Sequence, residues 1–177
     1  MRRRRAMPRA SKAVREHKEH APKSLRVAVI TISDTKNAEA DESGRLLRDG
    51  IGRAGYEVAD YAIVRDEVSA IQEAIDAAVG RGADAVVANG GTGLAKRDVT
   101  IEAVAPLLEK TLDGFGDLFR LLSYRRIGSA AMLSRAIAGV HRGRVIFCLP
   151  GSPDGVKLAW EELIAPELPH LVGLLRK

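Results

Sequence analysis

A glycine-rich stretch between two apolar segments carries the residues best suited to chemistry. It reads Gly90-Gly91-Thr92-Gly93 and is followed by Arg97 and Asp98. Glycine lets backbone N–H groups approach an anion closely, and a helix N-terminus adds the positive end of its dipole. The pattern therefore predicts a phosphate-binding loop. A tight strand-to-helix connection that binds no ligand is the alternative interpretation.

Three aspartates stand at or just past the ends of predicted strands. They are Asp34, Asp66 and Asp98. The carboxyl ends of parallel strands meet at one edge of an open sheet, and ligands bind at that edge. Mg²⁺ is commonly held there by one or two carboxylates plus substrate phosphates. Each aspartate alone is explained by a helix cap or by solvation, but three at one edge favour a metal site.

The strands and helices that would position these residues alternate along the chain. Apolar runs predict the four strands Leu25–Ile32, Tyr56–Val64, Ala83–Ala88 and Arg144–Leu149. Helical spacing predicts helices between the strands, among them Asp41–Ala54, Ile101–Lys110 and Gly116–Tyr124, and makes residues 100–142 mostly helical. This alternation favours an α/β fold with a parallel sheet and helices on both faces.

Two helix starts follow predicted strands. Thr100 is expected as an N-cap with Glu102 in the first turn. Gly151-Ser152-Pro153 predicts a second start, with Ser152 as N-cap and Pro153 at the first helical position, and a second anion-binding loop. By contrast, the Gly50-x-Gly52-x-x-Gly55 pattern closes a predicted helix, so we reject it as a dinucleotide fingerprint.

Composition points to one ordinary domain. The 177 residues are 46% apolar and 29% charged, and no apolar run reaches the ~18 residues of a membrane span. The single cysteine, Cys148, excludes an internal disulfide, and we expect a cytoplasmic protein. The sequence lacks a P-loop pattern, a G-x-S-x-G elbow and a Cys/His zinc cluster.

The basic charge belongs to the N-terminal tail. Residues 1–24 hold nine Lys or Arg and two Glu, which gives this segment a net charge of +7, whereas the net charge of the whole chain is +5. Residues 25–177 hold 19 basic and 21 acidic residues, which gives −2, so the expected folded domain is near neutral. We expect a disordered or loosely helical tail at 1–24 and one domain at 25–177. A nucleic-acid arm is the alternative for the tail, but a near-neutral domain disfavours it.

These motifs together resemble the MoaB/MogA family, also called the gephyrin G-domain or molybdopterin-binding family. The resemblance runs from about Leu25 to Leu175. The matching segments are Ile32-Ser33-Asp34-Thr35, Asp41-Glu42-Ser43-Gly44, Val64-Arg65-Asp66-Glu67, Gly90-Gly91-Thr92-Gly93 with Arg97-Asp98-Val99-Thr100, Ala131-Met132-Leu133-Ser134-Arg135 and Leu149-Pro150-Gly151-Ser152-Pro153. The closing segment, Leu158 to Glu167, is more similar to the MoaB branch.

The resemblance implies a single three-layer α/β/α domain with a mostly parallel central sheet, assembled as a homotrimer or hexamer. It implies molybdenum cofactor synthesis, in which the terminal phosphate of molybdopterin attacks the α-phosphorus of ATP. The products are adenylyl-molybdopterin and pyrophosphate, and Mg²⁺ is required. A non-catalytic molybdopterin-binding or scaffold protein of the same fold is the alternative. Other cofactor-synthesis proteins are candidate partners, whereas a membrane is not expected.

The residue patterns and the resemblance together predict the site residues. Asp66, Asp98 and Ser134 are predicted to be catalytic, and Asp66 and Asp98 are also the predicted Mg²⁺ ligands. The predicted cofactor- and substrate-binding residues are Ser33, Asp34, Gly90, Gly91, Thr92, Gly93, Arg97, Thr100, Glu102, Gly151, Ser152 and Pro153.

Overall fold

Six strands form one sheet in the order β2-β1-β3-β6-β5-β4. They are β1 (Arg26–Ile32), β2 (Glu57–Val64), β3 (Ala85–Asn89), β4 (Lys110–Thr111), β5 (Ile137–His141) and β6 (Arg144–Leu149). The computed structural model describes residue 22 and residues 24–177. The predicted tail therefore lies outside the described residues, except for Pro22 and Ser24.

Helices cover both faces of this sheet. They are α1 (Glu42–Arg53), α2 (Val68–Gly80), α3 (Thr100–Val104), α4 (Asp113–Ile127), α5 (Pro153–Ala159) and α6 (Ala165–Leu175). Two 3₁₀ segments are Ala105–Leu107 and Gly128–Leu133, and a π-helical turn, Trp160–Ile164, joins α5 to α6. Within the part of the chain that the structure describes, no helix is both long and apolar enough to cross a membrane.

Alternate side chains of the central strands enter two separate cores, because successive residues of a strand point to opposite faces. Val29 and Val87 pack in the core that α1, α4, α5 and α6 cover. Ile30 and Val86 pack in the other core, against α2 and α3. Both faces of these strands are thus buried, as expected for central parallel strands. The predicted three-layer α/β/α architecture is confirmed.

The sheet has an antiparallel end that the sequence analysis did not predict. Strands β1, β2, β3 and β6 pair in parallel, whereas β5 runs antiparallel to both β6 and β4. The turn between β5 and β6 places Arg142 and Gly143 at φ values of 49° and 69°. Two positive φ values match the twist of a two-residue hairpin turn. The expectation of a mostly helical region at 100–142 is therefore wrong for β4 and β5.

The helix predicted at Ile101–Lys110 is also shorter than expected. It ends at Val104, passes through a 3₁₀ segment, and Lys110 already belongs to β4. Pro106 lies in the 3₁₀ segment. A proline lacks the N–H that a continuing helix needs, which explains the early end.

The rejected glycine pattern lies where the sequence analysis put it, at the end of α1. Gly50 is buried in α1, and a Cβ at this position would lie 2.6 Å from Nε1 of Trp160. Gly55 follows the helix with a φ of 79°. These glycines therefore serve helix packing and helix termination.

Candidate functional site

Four loops meet at the carboxyl edge of the parallel strands. Strands β2, β1, β3 and β6 are neighbours in the sheet, so the loops that follow them leave from the same edge. The strand register shows that these strand ends lie side by side, because Ile32 of β1 pairs with Val64 of β2 and Asn89 of β3 pairs with Leu149 of β6. The loops after these four strands contain all three predicted aspartates and both predicted anion-binding segments.

The glycine loop is in tight contact with its neighbours. Gly90 and Gly91 have φ values of 101° and 59°, a region that L side chains rarely adopt. A Cβ at Gly90 would collide with the carbonyl oxygen of Ile32. A Cβ at Gly151 would lie 3.0 Å from Cα of Gly90, so the glycine loop and the loop that precedes α5 pack closely through backbone atoms. Close packing thus requires glycine at positions 90 and 91.

Thr100 supports this loop from inside the protein. Its side chain is fully buried, and its hydroxyl donates a hydrogen bond to the carbonyl oxygen of Gly90 at 2.8 Å. Its backbone N–H donates to the carbonyl oxygen of Gly91 at 2.9 Å. Thr100 is the first residue of α3 and Val99 precedes it without a side-chain cap. The predicted N-cap is therefore wrong, because the hydroxyl bonds backward to the loop.

Asp34 connects the three loops after β1, β2 and β3. Its carboxylate accepts a hydrogen bond from the backbone N–H of Asp66 at 3.3 Å. It also accepts hydrogen bonds from the guanidinium of Arg97, with the Nε contact at 2.9 Å. The hydrogen bond from Arg97 lowers the pKa of the Asp34 carboxyl. Asp34 and Arg97 are thus a pair that joins the outer loops.

Asp66 and Asp98 lie on opposite ends of the glycine loop, each against a glycine. A Cβ at Gly91 would lie 2.5 Å from Oδ1 of Asp66, and a Cβ at Gly93 would lie 2.6 Å from Oδ2 of Asp98. Oδ2 of Asp98 also accepts a hydrogen bond from the backbone N–H of Ala95 at 2.9 Å. The predicted catalytic aspartates therefore flank the predicted phosphate-binding loop.

Asp66 lies near two other carboxylates at this edge. Burial raises the pKa of Asp66, and the charges of Asp34 and Asp98 raise it further. Like charges within a few ångströms disfavour the charged form of a carboxyl, which is the direction seen for Asp66. The guanidinium of Arg97 acts in the opposite direction on Asp66. A cation placed among these groups would relieve their repulsion.

The donor set fits Mg²⁺ in the presence of a phosphorylated substrate. Among residues 22 and 24–177, no group of three or more His, Cys, Asp or Glu side chains could hold a metal ion alone. Mg²⁺ requires only one or two carboxylates when phosphates and waters complete its octahedral shell. Asp66 and Asp98 supply hard oxygen donors beside a loop suited to phosphates. Asp66 and Asp98 are the residues that would hold such a cation, with the substrate completing its shell.

Arg135 is a residue of this region whose contacts the sequence analysis missed. Its Nη1 and Nη2 donate to the two carboxylate oxygens of Glu102 at 2.7 and 2.9 Å. Its Nε donates to the carbonyl oxygen of Thr92 at 2.8 Å. The hydrogen bond from Arg135 lowers the pKa of Glu102. Glu102 therefore orients an arginine that holds the glycine loop.

The second loop begins α5 as predicted. Ser152 is the N-cap, its hydroxyl accepting a hydrogen bond from the N–H of Gly155 at 3.2 Å, and Pro153 follows at the first helical position. The hydroxyl of Ser43 donates to the carbonyl oxygen of Gly151 at 2.8 Å. Ser134 lies beside this loop and lines a groove together with Ser152. The structure thus brings Ser134 to the second loop.

A buried network anchors α1 beneath the loops. Asp41 caps α1 by accepting from the N–H of Gly44 at 2.9 Å. It also accepts hydrogen bonds from the hydroxyls of Thr31 at 2.6 Å and Tyr61 at 2.8 Å. Burial and Asp41 raise the pKa of Tyr61 to about 12. The side-chain amide of Asn89 donates to Thr31 at 3.0 Å, which links the network to the start of the glycine loop.

Sequence comparison agrees with this geometry. The family described as "Probable molybdopterin binding domain" matches residues 28–170. The chain belongs to this family. Its match to the molybdopterin-binding family spans every loop of the site, from the end of β1 to the N-terminus of α5.

Individual members of the molybdopterin-binding family place the chain nearer to MoaB than to Mog proteins. It is 51% identical to molybdenum cofactor biosynthesis protein B of Bacillus subtilis over 167 residues, covering 93% of this chain and 98% of the relative. The crystal structure of the tungsten cofactor synthesizing protein MoaB from Pyrococcus furiosus is 40% identical, with a TM-score of 0.81 and coverage of 89% and 100% of the two chains. The Mog protein of Mycobacterium ulcerans is 25% identical, with a TM-score of 0.78 and coverage of 85% and 99%.

Proposed function

We propose that this protein acts in molybdenum cofactor biosynthesis as a Mg²⁺-dependent molybdopterin adenylyltransferase. One observation carries the proposal: Asp66 and Asp98 lie against Gly91 and Gly93, the two ends of a loop whose backbone suits phosphate. Membership in the molybdopterin-binding family supports the substrate. The names of the MoaB relatives, which refer to cofactor biosynthesis, support the pathway.

The reaction joins two phosphorylated substrates. A terminal phosphate oxygen of molybdopterin attacks the α-phosphorus of ATP. The bond between that phosphorus and the oxygen that bridges it to the β-phosphate breaks. The products are adenylyl-molybdopterin and pyrophosphate. Because both substrates are anions, their repulsion must be neutralised before the oxygen and phosphorus can meet. When bound, Mg²⁺ would supply charge neutralisation on the nucleotide phosphates.

This chain's own groups contribute positioning and partial charge. Backbone N–H groups of the glycine loop would donate to phosphate oxygens, and Asp66 and Asp98 would hold the cation. Arg97 offers a positive charge at the outer rim, where Asp34 holds its guanidinium. Arg135 keeps the loop in place through Thr92. The hydroxyl of Ser134, which lies beside the second loop, would donate one neutral hydrogen bond to the substrate.

A non-catalytic molybdopterin-binding protein is the second candidate. The description of the family refers to binding alone, which favours this candidate. The two candidates differ in the need for Asp66 and Asp98, because binding a pterin requires no carboxylate beside the phosphates. The presence of both aspartates at the glycine loop favours the enzyme.

Assembly into a homotrimer or hexamer is part of the proposal. Several large apolar side chains on α4 and the following 3₁₀ segment are exposed in the single chain, namely Leu118, Leu121, Tyr124, Ile127, Met132 and Leu133. Contiguous exposed apolar surface marks interaction sites. We expect this surface to contact other copies, and we expect a cytoplasmic protein without nucleic acid as a partner.

The test is product formation. Purified protein is mixed with molybdopterin, ATP and Mg²⁺ under anaerobic conditions, and adenylyl-molybdopterin and pyrophosphate are measured by mass spectrometry and a coupled assay. The proposal expects both products in equal amounts over several turnovers. If the protein binds molybdopterin but forms neither product, the adenylyltransferase proposal is wrong and the protein is a non-catalytic molybdopterin-binding protein.

A further inference from the structure

A second groove lies between α1 and α5, and we refer to it as the α1–α5 groove. Its volume is about 360 Å³, and it is lined by Leu46, Arg53, Val156, Lys157, Trp160 and Glu161. Ligand pockets measure about 300–1,000 Å³, so this groove has room for one small molecule. None of its lining residues belongs to the glycine loop, to α4 or to the 3₁₀ segment after α4. The groove is therefore separate from the proposed phosphate-binding loop and from the expected assembly surface.

Trp160 forms the main apolar wall of the α1–α5 groove. It is the first residue of the π-helical turn, and only 5% of its surface is exposed. A Cβ at Gly50 would lie 2.6 Å from Nε1 of Trp160, so the glycine in α1 allows the indole to pack against that helix. Leu46 and Val156 complete the apolar lining. π-Helical turns are rare and are frequently found at functional sites.

Two cationic side chains border the α1–α5 groove from different helices. Arg53 lies in the last turn of α1, and Lys157 lies in α5. Neither side chain forms an ion pair or a hydrogen bond with any residue that the structure describes. A guanidinium donates paired hydrogen bonds to phosphate oxygens, and an ammonium acts on them as a point charge. Two unpaired cations on one groove therefore favour an anion with more than one negative charge.

One carboxylate also borders the α1–α5 groove. Glu161 forms no ion pair with Arg53 or Lys157, although all three line the same groove. The two cations give +2 and Glu161 gives −1, so the lining residues carry a net charge of +1. An ionised carboxylate only accepts hydrogen bonds. A ligand that contacts Glu161 must therefore present a hydroxyl or amine there, away from its own anionic group.

We infer that the α1–α5 groove binds a phosphate monoester whose body combines a flat ring with hydroxyl groups, the chemistry of a nucleoside monophosphate. Arg53 and Lys157 bind the phosphate, Trp160 and the aliphatic side chains cover the ring, and Glu161 accepts from a hydroxyl. This site is additional to the proposed catalytic site. Its occupancy requires neither molybdopterin nor ATP, so the inference stands or falls independently of the proposed function.

The experiment uses Trp160 as the reporter, because it is the only tryptophan of the chain. Its fluorescence is titrated with uridine monophosphate, and uridine and inorganic phosphate are titrated as the two halves of that probe. We expect a saturable change with uridine monophosphate and at least about tenfold weaker binding of each half, because each half loses one set of contacts.

Four variants assign the binding groups. Arg53→Ala and Lys157→Ala should each raise the Kd for uridine monophosphate about tenfold, as for loss of one charge-assisted hydrogen bond. Arg53→Lys should recover part of the loss, because it restores the charge but not the paired donors. Arg45→Ala is the matched control, since Arg45 is an exposed arginine of α1 that does not line the groove, and it should match wild type.

Three results would overturn the inference. The first is the absence of a saturable fluorescence change in wild type. The second is a Kd for Arg53→Ala and Lys157→Ala equal to that of Arg45→Ala, which would place the probe elsewhere. The third is binding of inorganic phosphate as tight as that of uridine monophosphate, because the apolar wall would then contribute nothing. Thermal unfolding of each variant checks that a loss of binding is not a loss of fold.

Discussion

The contact between Gly93 and Asp98 allows the carboxylate to be moved without removing it. A Cβ at Gly93 would lie 2.6 Å from Oδ2 and 3.2 Å from Cγ of Asp98, and ordinary contact begins at 3.4 Å. Gly93→Ala must therefore displace Oδ2 by roughly 0.8 Å, the difference between 3.4 and 2.6 Å. The backbone of Gly93 does not have a positive φ, so alanine adds no backbone strain.

The expected cost in stability is small and the expected cost in turnover is large. Displacement weakens the hydrogen bond from the N–H of Ala95 to Asp98, worth about 1 kcal/mol. Replacing glycine by alanine restricts the unfolded chain, which stabilises the folded protein by about 0.4–1 kcal/mol. This gain offsets the weakened hydrogen bond, so the free energy of unfolding should change little. A misplacement near 1 Å in a catalytic site costs on the order of 10²-fold in rate, and we expect that loss here.

The assay measures adenylyl-molybdopterin formation and urea unfolding on the same preparations. Gly52→Ala is the matched control, because nothing lies within 4 Å of a Cβ at that position in α1. It should stabilise the helix slightly and leave turnover unchanged. If Gly93→Ala retained wild-type turnover, the position of Asp98 would not matter for the reaction and its assignment as a metal ligand would be wrong.

Three further predictions follow from other parts of the molecule. Asp41→Ala removes a helix cap and leaves two hydroxyl donors without their acceptor, so urea unfolding should show a loss of about 4 kcal/mol. The pKa of Asp66 is raised above 3.8, so the acid limb of a pH–turnover profile should lie above that value; Asp34→Asn removes a neighbouring charge and should move the limb to lower pH. Because folding raises the pKa of Asp66, protonated Asp66 stabilises the folded state. This contribution to the free energy of unfolding is lost as the pH rises through the pKa of Asp66 in the folded protein. Deletion of residues 1–23 should leave melting temperature and turnover unchanged, because this segment has no apolar pattern with which to dock.

The parallel part of the fold could be predicted because its signals are local. Strands β1 and β3 are apolar on both faces and lead directly into polar or glycine-rich loops. The start of α5 was predictable for the same reason, since Ser152 and Pro153 form a cap and a first helical residue within two positions. Local patterns also placed Asp34, Asp66 and Asp98 at one edge, because parallel topology brings strand ends together.

The antiparallel part and the side-chain pairs depended on distant contacts. Strand β4 has only two residues, and its strand character comes from pairing with β5. Arg135 contacts Glu102 and Thr92 across 33 and 43 residues of sequence, a distance that no periodicity reveals. Threonine is a common N-cap residue, but the hydroxyl of Thr100 donates a hydrogen bond to the carbonyl oxygen of Gly90 instead. The Gly143 turn between two apolar runs was the one local signal that would have indicated the hairpin.

The most direct test of the account measures turnover against Mg²⁺ concentration for wild type, Asp66→Asn and Asp98→Asn. Asparagine keeps shape and hydrogen bonding but removes the charge that holds the cation. We expect each variant to lose about 10²-fold or more in maximal turnover, as for other preorganised electrostatic groups, while molybdopterin binding and melting temperature are retained. Ser134→Ala should lose less, because a hydroxyl offers one neutral hydrogen bond. Near-normal Mg²⁺-dependent turnover by Asp98→Asn would contradict the account.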